Sequence, residues 1–172
     1  IVIFTSDHGD ALGDHGLIMK GARFYEGHVR VPLIWSWPHN IESDLRSHAL
    51  VELIDIVPTL LEAAKIEPRA EIQGRSLLPI LTGLKEPHSH REFVRCEHCY
   101  KLSNGRTGYA TMYRDNRWKL IRYHGQDLGE LFDLSADPNE HESLWETSAF
   151  HSVKTELSLK SFDATILAAN HG

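Results

Sequence analysis

Between Thr5 and Lys20 the chain reads TSDHGDALGDHGLIMK, gathering Asp7, His8, Asp10, Asp14, His15 and Lys20 around three glycines. Carboxylate, imidazole and ammonium are the groups that hold a divalent cation and an oxyanion in one place. On an extended backbone the adjacent Asp7 and His8 side chains point to opposite faces, but a turn at Gly9 brings both around a single ion. Lys20 then acts as a point charge on a sulfate or phosphate oxygen, offsetting the charge that grows there during displacement. The same residue types are also ordinary loop formers, and Asp10 and Asp14 are read as turn residues rather than ligands.

These residues need elements to position them. Ile1-Val2-Ile3-Phe4 is a β-branched run that predicts a parallel strand buried on both faces. Thr5 to Asp10 then falls at its carboxyl end, where open α/β sheets place ligands. Because the chain opens directly on this strand, with no charged-then-apolar leader, we expect it to be a piece of a larger polypeptide. Val29 to Trp35 predicts a second strand with Pro32 at its entry or edge. Apolar spacing predicts a helix from near Asp55 to near Lys65, and Gln73 to Gly83 a turn with a short helix. The polar stretch from Lys85 to His90 is the expected connector between lobes. Beyond it, Glu92–Cys99, Thr107–Tyr113, Trp118–Tyr123 and Glu130–Leu134 read as short strands of an antiparallel meander. His151 to Leu167 reads as a terminal helix with Val153, Leu157, Phe162 and Ile166 inward. The expected organisation is therefore an α/β part over residues 1–88 and a small antiparallel subdomain with a terminal helix over 89–172.

Composition narrows the function. A formal net charge of −6, with acidic residues in excess in both halves, offers no basic stripe for nucleic acid or an anionic membrane surface. No apolar run reaches the length of a membrane span. The two cysteines, Cys96 and Cys99, cannot build a disulfide framework. With His90 and His98 nearby they suggest zinc, but no second ligand pair follows at the usual spacing, so structural zinc is not expected. Glu26 and Arg30 lie four apart and are read as an ion pair. The four tryptophans are read as packing residues.

The run TSDHGDALGDHGLIMKG followed by FYEGHVRVPLIW resembles the sulfatase family of the alkaline phosphatase superfamily. So do Asp55-Ile56-Val57-Pro58-Thr59-Leu60-Leu61, Gly74-Arg75-Ser76-Leu77-Leu78-Pro79, Trp118-Lys119-Leu120-Ile121 and Glu130-Leu131-Phe132-Asp133-Leu134 with Asp137-Pro138-Asn139-Glu140. The resemblance implies a C-terminal part of an alkaline-phosphatase-like α/β lobe, followed by the antiparallel subdomain. It implies that Asp7 and His8 are metal ligands, that Lys20 contacts the sulfate or phosphate group, and that His15 is a candidate proton donor to the leaving alcohol. Calcium is the expected metal, with manganese or zinc allowed by the nitrogen donor of His8. The activity implied is hydrolysis of sulfate esters, with phosphonate monoesters or phosphodiesters as the alternative, or a truncated module without catalysis. The formylglycine nucleophile of the family arises from a Cys-x-Pro-x-Arg signature. Neither Cys96 nor Cys99 is followed by Pro-x-Arg, so that group is expected in an N-terminal part. With strand faces uncovered, the chain alone is expected to self-associate.

Overall fold

The β-branched opening folds as β1 (Val2–Thr5), which pairs with β2 (Leu33–Ser36). This computed structural model describes residues 1–67, 72–101 and 104–169. The expected parallel strand with two buried faces is corrected. The pairing is antiparallel, from Val2 opposite Ser36 to Thr5 opposite Leu33, and Val2 and Phe4 are 68% and 63% exposed. β-branched composition expresses a preference for burial and does not supply the covering layers. β2 begins only after Pro32, because Val29 closes a short helix, α1 (Glu26–Val29), and proline brings no ladder N–H.

Two compact units form, one from Ile1–Thr5, Leu33–Val94 and Asp163–Gly172, the other from Ser6–Pro32 and Arg95–Phe162. They interleave along the chain, unlike the division at residue 88 expected from the polar connector. The reason is that segment 6–32 contributes Phe24 to the core of the second unit.

In the first unit α2 (Ile56–Ala63) starts after Asp55, and Pro58 falls in its first turn, where no intrahelical N–H is lost. Asp55 is fully buried. Its carboxylate accepts the backbone N–H groups of Glu52 (2.9 Å) and Arg75 (2.8 Å), and the Arg91 guanidinium bonds it as well. The Thr59 hydroxyl donates to Asp55 O (2.6 Å) and accepts the Leu77 N–H (2.8 Å). Two sequence motifs are thus knitted together through buried polar contacts, and α3 (Leu78–Leu81) follows directly.

In the second unit the meander appears as β3 (Val94–Lys101), β4 (Thr107–Arg114), β5 (Trp118–His124) and β6 (Leu128–Asp133), adjacent in that order. The β4–β5–β6 register is antiparallel and places Ala110 and Met112 opposite Tyr123 and Ile121. That face packs with Phe132 and Phe24 in the core. The other face carries Leu120 and Leu131, both fully buried, and at Gly129 the Trp145 ring comes too close for a side chain. The terminal helix α4 (His151–Ala169) buries Leu157 and Ala164. Phe162 and Ile166 were expected inward but are exposed at 63% and 45%. The five-residue step from Leu157 to Phe162 turns the helix by roughly 140° off the buried stripe.

Candidate active site

β1 ends at Thr5 and delivers Asp7 and His8 into a turn whose path is set by Gly9. The Gly9 N–H donates to His28 O (2.8 Å), and a Cβ on Gly9 would lie 2.0 Å from Gly27 O. Only glycine fits against α1 this closely. The Ser6 hydroxyl donates to His8 O (2.7 Å), which closes the turn from the other side.

Within this turn Asp7 Oδ1 accepts the His8 backbone N–H (3.0 Å), while Asp7 Oδ2 lies 3.5 Å from His8 Nε2. The His8 N–H first, with the imidazole and the Lys20 ammonium adding to it, holds the Asp7 carboxyl below the usual carboxylate range. His8 Nδ1–H donates to Gly9 O (2.9 Å), which leaves Nε2 with its lone pair. The Lys20 ammonium donates to that lone pair. Lys20 is brought there because its backbone N–H donates to Asp10 Oδ1 (2.7 Å), so Asp10 closes the loop, as its reading as a turn residue requires.

The structure therefore brings Asp7, His8 and Lys20 together. His15 stands differently. It sits at φ +53° in the Asp14–Gly16 turn and stacks on Tyr25, with ring centroids 3.9 Å apart and planes 10° from parallel, and His141 lies 5.8 Å away. The Tyr25 hydroxyl donates to Glu130 (3.0 Å), and burial together with that carboxylate pushes its pKa up to about 12. Tyr25 is thus a neutral, fixed platform for the imidazole.

A divalent ion is what the resemblance implies, and the donors can be tested against it. An imidazole with its Nδ1 proton on a backbone carbonyl and Nε2 turned the other way is oriented as a metal-bound histidine is. The Lys20 ammonium stands on Nε2, beside the Asp7 carboxylate. Among the described residues no group of three or more His, Cys, Asp or Glu side chains is placed to hold an ion. Asp7 and His8 fit as part of a ligand set. Cys96 and Cys99 both lie on β3, and no described helix is long and apolar enough to cross a membrane.

The family model described as N-sulphoglucosamine sulphohydrolase, C-terminal, matches residues 13–165. The chain belongs to the sulfatase family. Arylsulfatase K of Gallus gallus is 38% identical over 144 residues, which is 81% of this chain and 26% of that protein. A solved 2-O GAG sulfatase superposes with a TM-score of 0.86 at 27% identity over 98% of this chain and 36% of its own. The phosphonate monoester hydrolase of Silicibacter pomeroyi superposes with a TM-score of 0.85 at 25% identity, over 96% of this chain and 34% of that one. The chain thus spans about a quarter to a third of the length of the sulfatases it matches, and it matches their C-terminal region.

Sequence reading missed the polar groups buried beneath this loop. Besides the charge of Arg30, the Glu26 carboxylate meets Lys119 (2.7 Å) and Arg114 (3.3 Å) on the sheet. A lysine set among the apolar residues of Trp118–Tyr123 was the available signal.

Proposed function

We propose that the full-length protein carrying this chain hydrolyses sulfate esters, with Asp7 and His8 as metal ligands and Lys20 as the contact to the sulfate group. The observation that carries this reading is the convergence of a carboxylate, an imidazole nitrogen and an ammonium in one turn. The sulfatase relatives support it. A divalent ion, calcium or else manganese or zinc, supplies Lewis-acid stabilisation of non-bridging oxygens when bound. Asp7 and His8 would be among its ligands, and the Gly9 carbonyl, by accepting the Nδ1 proton, keeps the His8 ring in the tautomer that this needs. Lys20, once released from His8, binds a sulfate oxygen and offsets its growing charge. His15, steadied on Tyr25, is the proposed proton donor to the leaving alcohol. The nucleophile, a formylglycine by the resemblance, comes from outside this chain.

Lys20→Ala in the full-length protein tests the reading. We expect kcat/KM for an aryl sulfate to fall by about 10²–10³, with thermal stability unchanged because Lys20 is exposed. Unaltered turnover overturns it. The second reading, phosphonate monoester or phosphodiester hydrolysis, is favoured by the nitrogen donor of His8 and by the phosphonate monoester hydrolase neighbour. Comparing turnover of aryl sulfate and aryl phosphonate esters by one preparation separates the two. As an isolated polypeptide the chain is proposed to pair with a second copy through β1 and β2, where Val2, Phe4 and Ile34 are more than half exposed. A stable monomer in sedimentation at high concentration refutes this.

A further inference from the structure

Lys119 is a fully buried lysine. The β4–β5 register sets it opposite Arg114, two like charges on one sheet face. Its ammonium donates to Phe24 O (2.9 Å) and forms ion pairs with Glu26 Oε1 (2.7 Å) and Glu140 Oε1 (2.6 Å). Arg114 also reaches Glu26 Oε1, so two cations face two carboxylates. The second oxygen of Glu140 accepts the backbone N–H of Glu26 at 2.5 Å. Burial alone would raise the Glu26 carboxyl, but Lys119 and Arg114 outweigh it and hold the group low. Glu140 itself sits at φ +58°, a left-handed conformation that is strained for a residue with a Cβ.

Every member of this cluster bears on α1. Glu26 opens that helix, and His28, two residues on, offers the carbonyl that accepts the Gly9 N–H. The Gly9 carbonyl in turn holds the His8 ring. A continuous chain of hydrogen bonds and covalent links therefore runs from the buried Lys119 ammonium to the His8 imidazole.

We propose that Glu26, Lys119 and Glu140 are positioning residues for the Asp7–His8 pair, acting through α1 and Gly9. In this role the cluster fixes where the Gly9 backbone lies, and through it the orientation of His8. The inference rests on the proposed function for its catalytic meaning, while the mechanical coupling stands apart from it.

The test is hydrogen–deuterium exchange on the full-length protein and on its Glu140→Gln variant, which keeps the side-chain shape and removes the charge. We expect exchange in the 7–12 peptide to quicken by about tenfold while the Leu120 and Leu131 regions keep their protection, the mark of a local opening. Lys119→Met should show the same pattern more strongly, and Glu140→Gln carries the test if that variant does not fold. A cluster that only stabilises the fold would loosen the strands together with the loop, and that result, or unchanged protection at Gly9, overturns the proposal. Lys20→Ala separates the two claims. If Gly9 responds to Glu140→Gln but Lys20→Ala leaves aryl sulfate turnover intact, the coupling holds and the sulfatase reading fails. If turnover depends on Lys20 and Gly9 stays protected, the coupling fails alone.

Discussion

Adding a single methyl group at Gly9 should disable the site without touching any group that does chemistry. The Cβ of an alanine there would lie 2.0 Å from Gly27 O, 3.1 Å from Gly27 C and 3.5 Å from His28 Cα. Real Cβ atoms essentially never approach closer than 3.0 Å, so the turn must lift by 1.0 Å or more. Both nearest atoms are backbone of α1, which cannot rotate aside as a side-chain tip can. A lift of that size along the Gly9 N–H···O=C His28 bond stretches it from 2.8 Å to about 3.8 Å, outside hydrogen-bonding range. The lost bond costs about 1 kcal/mol, and a displacement of about 1 Å at a catalytic group costs about a hundredfold in rate. Gly9→Ala in the full-length protein should therefore lower kcat/KM for an aryl sulfate by about 10² while leaving far-ultraviolet dichroism unchanged. Gly21→Ala is the control, since a Cβ at Gly21 meets nothing within 4 Å and its φ is not in the left-handed region. Activity of Gly9→Ala within about twofold of the parent, or an equal loss in Gly21→Ala, would refute the claim that contact with α1 sets the position of Asp7 and His8.

Two further outcomes follow from the buried polar groups. The Glu26 carboxyl titrates below its ordinary value of 4.5 in the folded chain, so its stabilisation is present above that pH and is lost as pH falls through the folded value. Thermal unfolding followed from about pH 7 to about pH 3 should show a steeper acid limb for the parent than for Glu26→Gln, and parallel curves would contradict the pairing with Lys119. Thr59→Val keeps the shape of a fully buried side chain but removes the acceptor of the Leu77 N–H. It should destabilise by about 1–3 kcal/mol, read as a lowered Tm, and an unchanged Tm would show that water or another group replaces the hydroxyl.

Much of this protein is written in local sequence. Glycines beside Asp and His announce a turn with ligand-type side chains, because the conformational needs of a turn and the chemistry of a site are both local properties. Strand alternation in Thr107–Tyr113 and Trp118–Tyr123, and helical spacing from Asp55, set the kinds of element that form. Sequence motifs also carried the family resemblance, which the family match over residues 13–165 upheld.

Other features were decided only when distant segments met. The partner of β1 and its antiparallel direction depend on which strand arrives beside it, and no residue of Ile1–Thr5 encodes that. The stripe that α4 buries shifts from Phe162 to Ala164 because burial follows the neighbours a helix acquires as well as its apolar residues. Glu26 meets Lys119 and Arg114, far away in the chain, in addition to the charge of Arg30 four residues on, since a buried cation must be neutralised. Likewise, the ring orientation of His8 is set by the carbonyl of Gly9, and Gly9 is held by α1. Sequence by itself determined which groups are present for chemistry, whereas tertiary structure decided which of them touch, because contact between residues far apart in the chain is a property of packing.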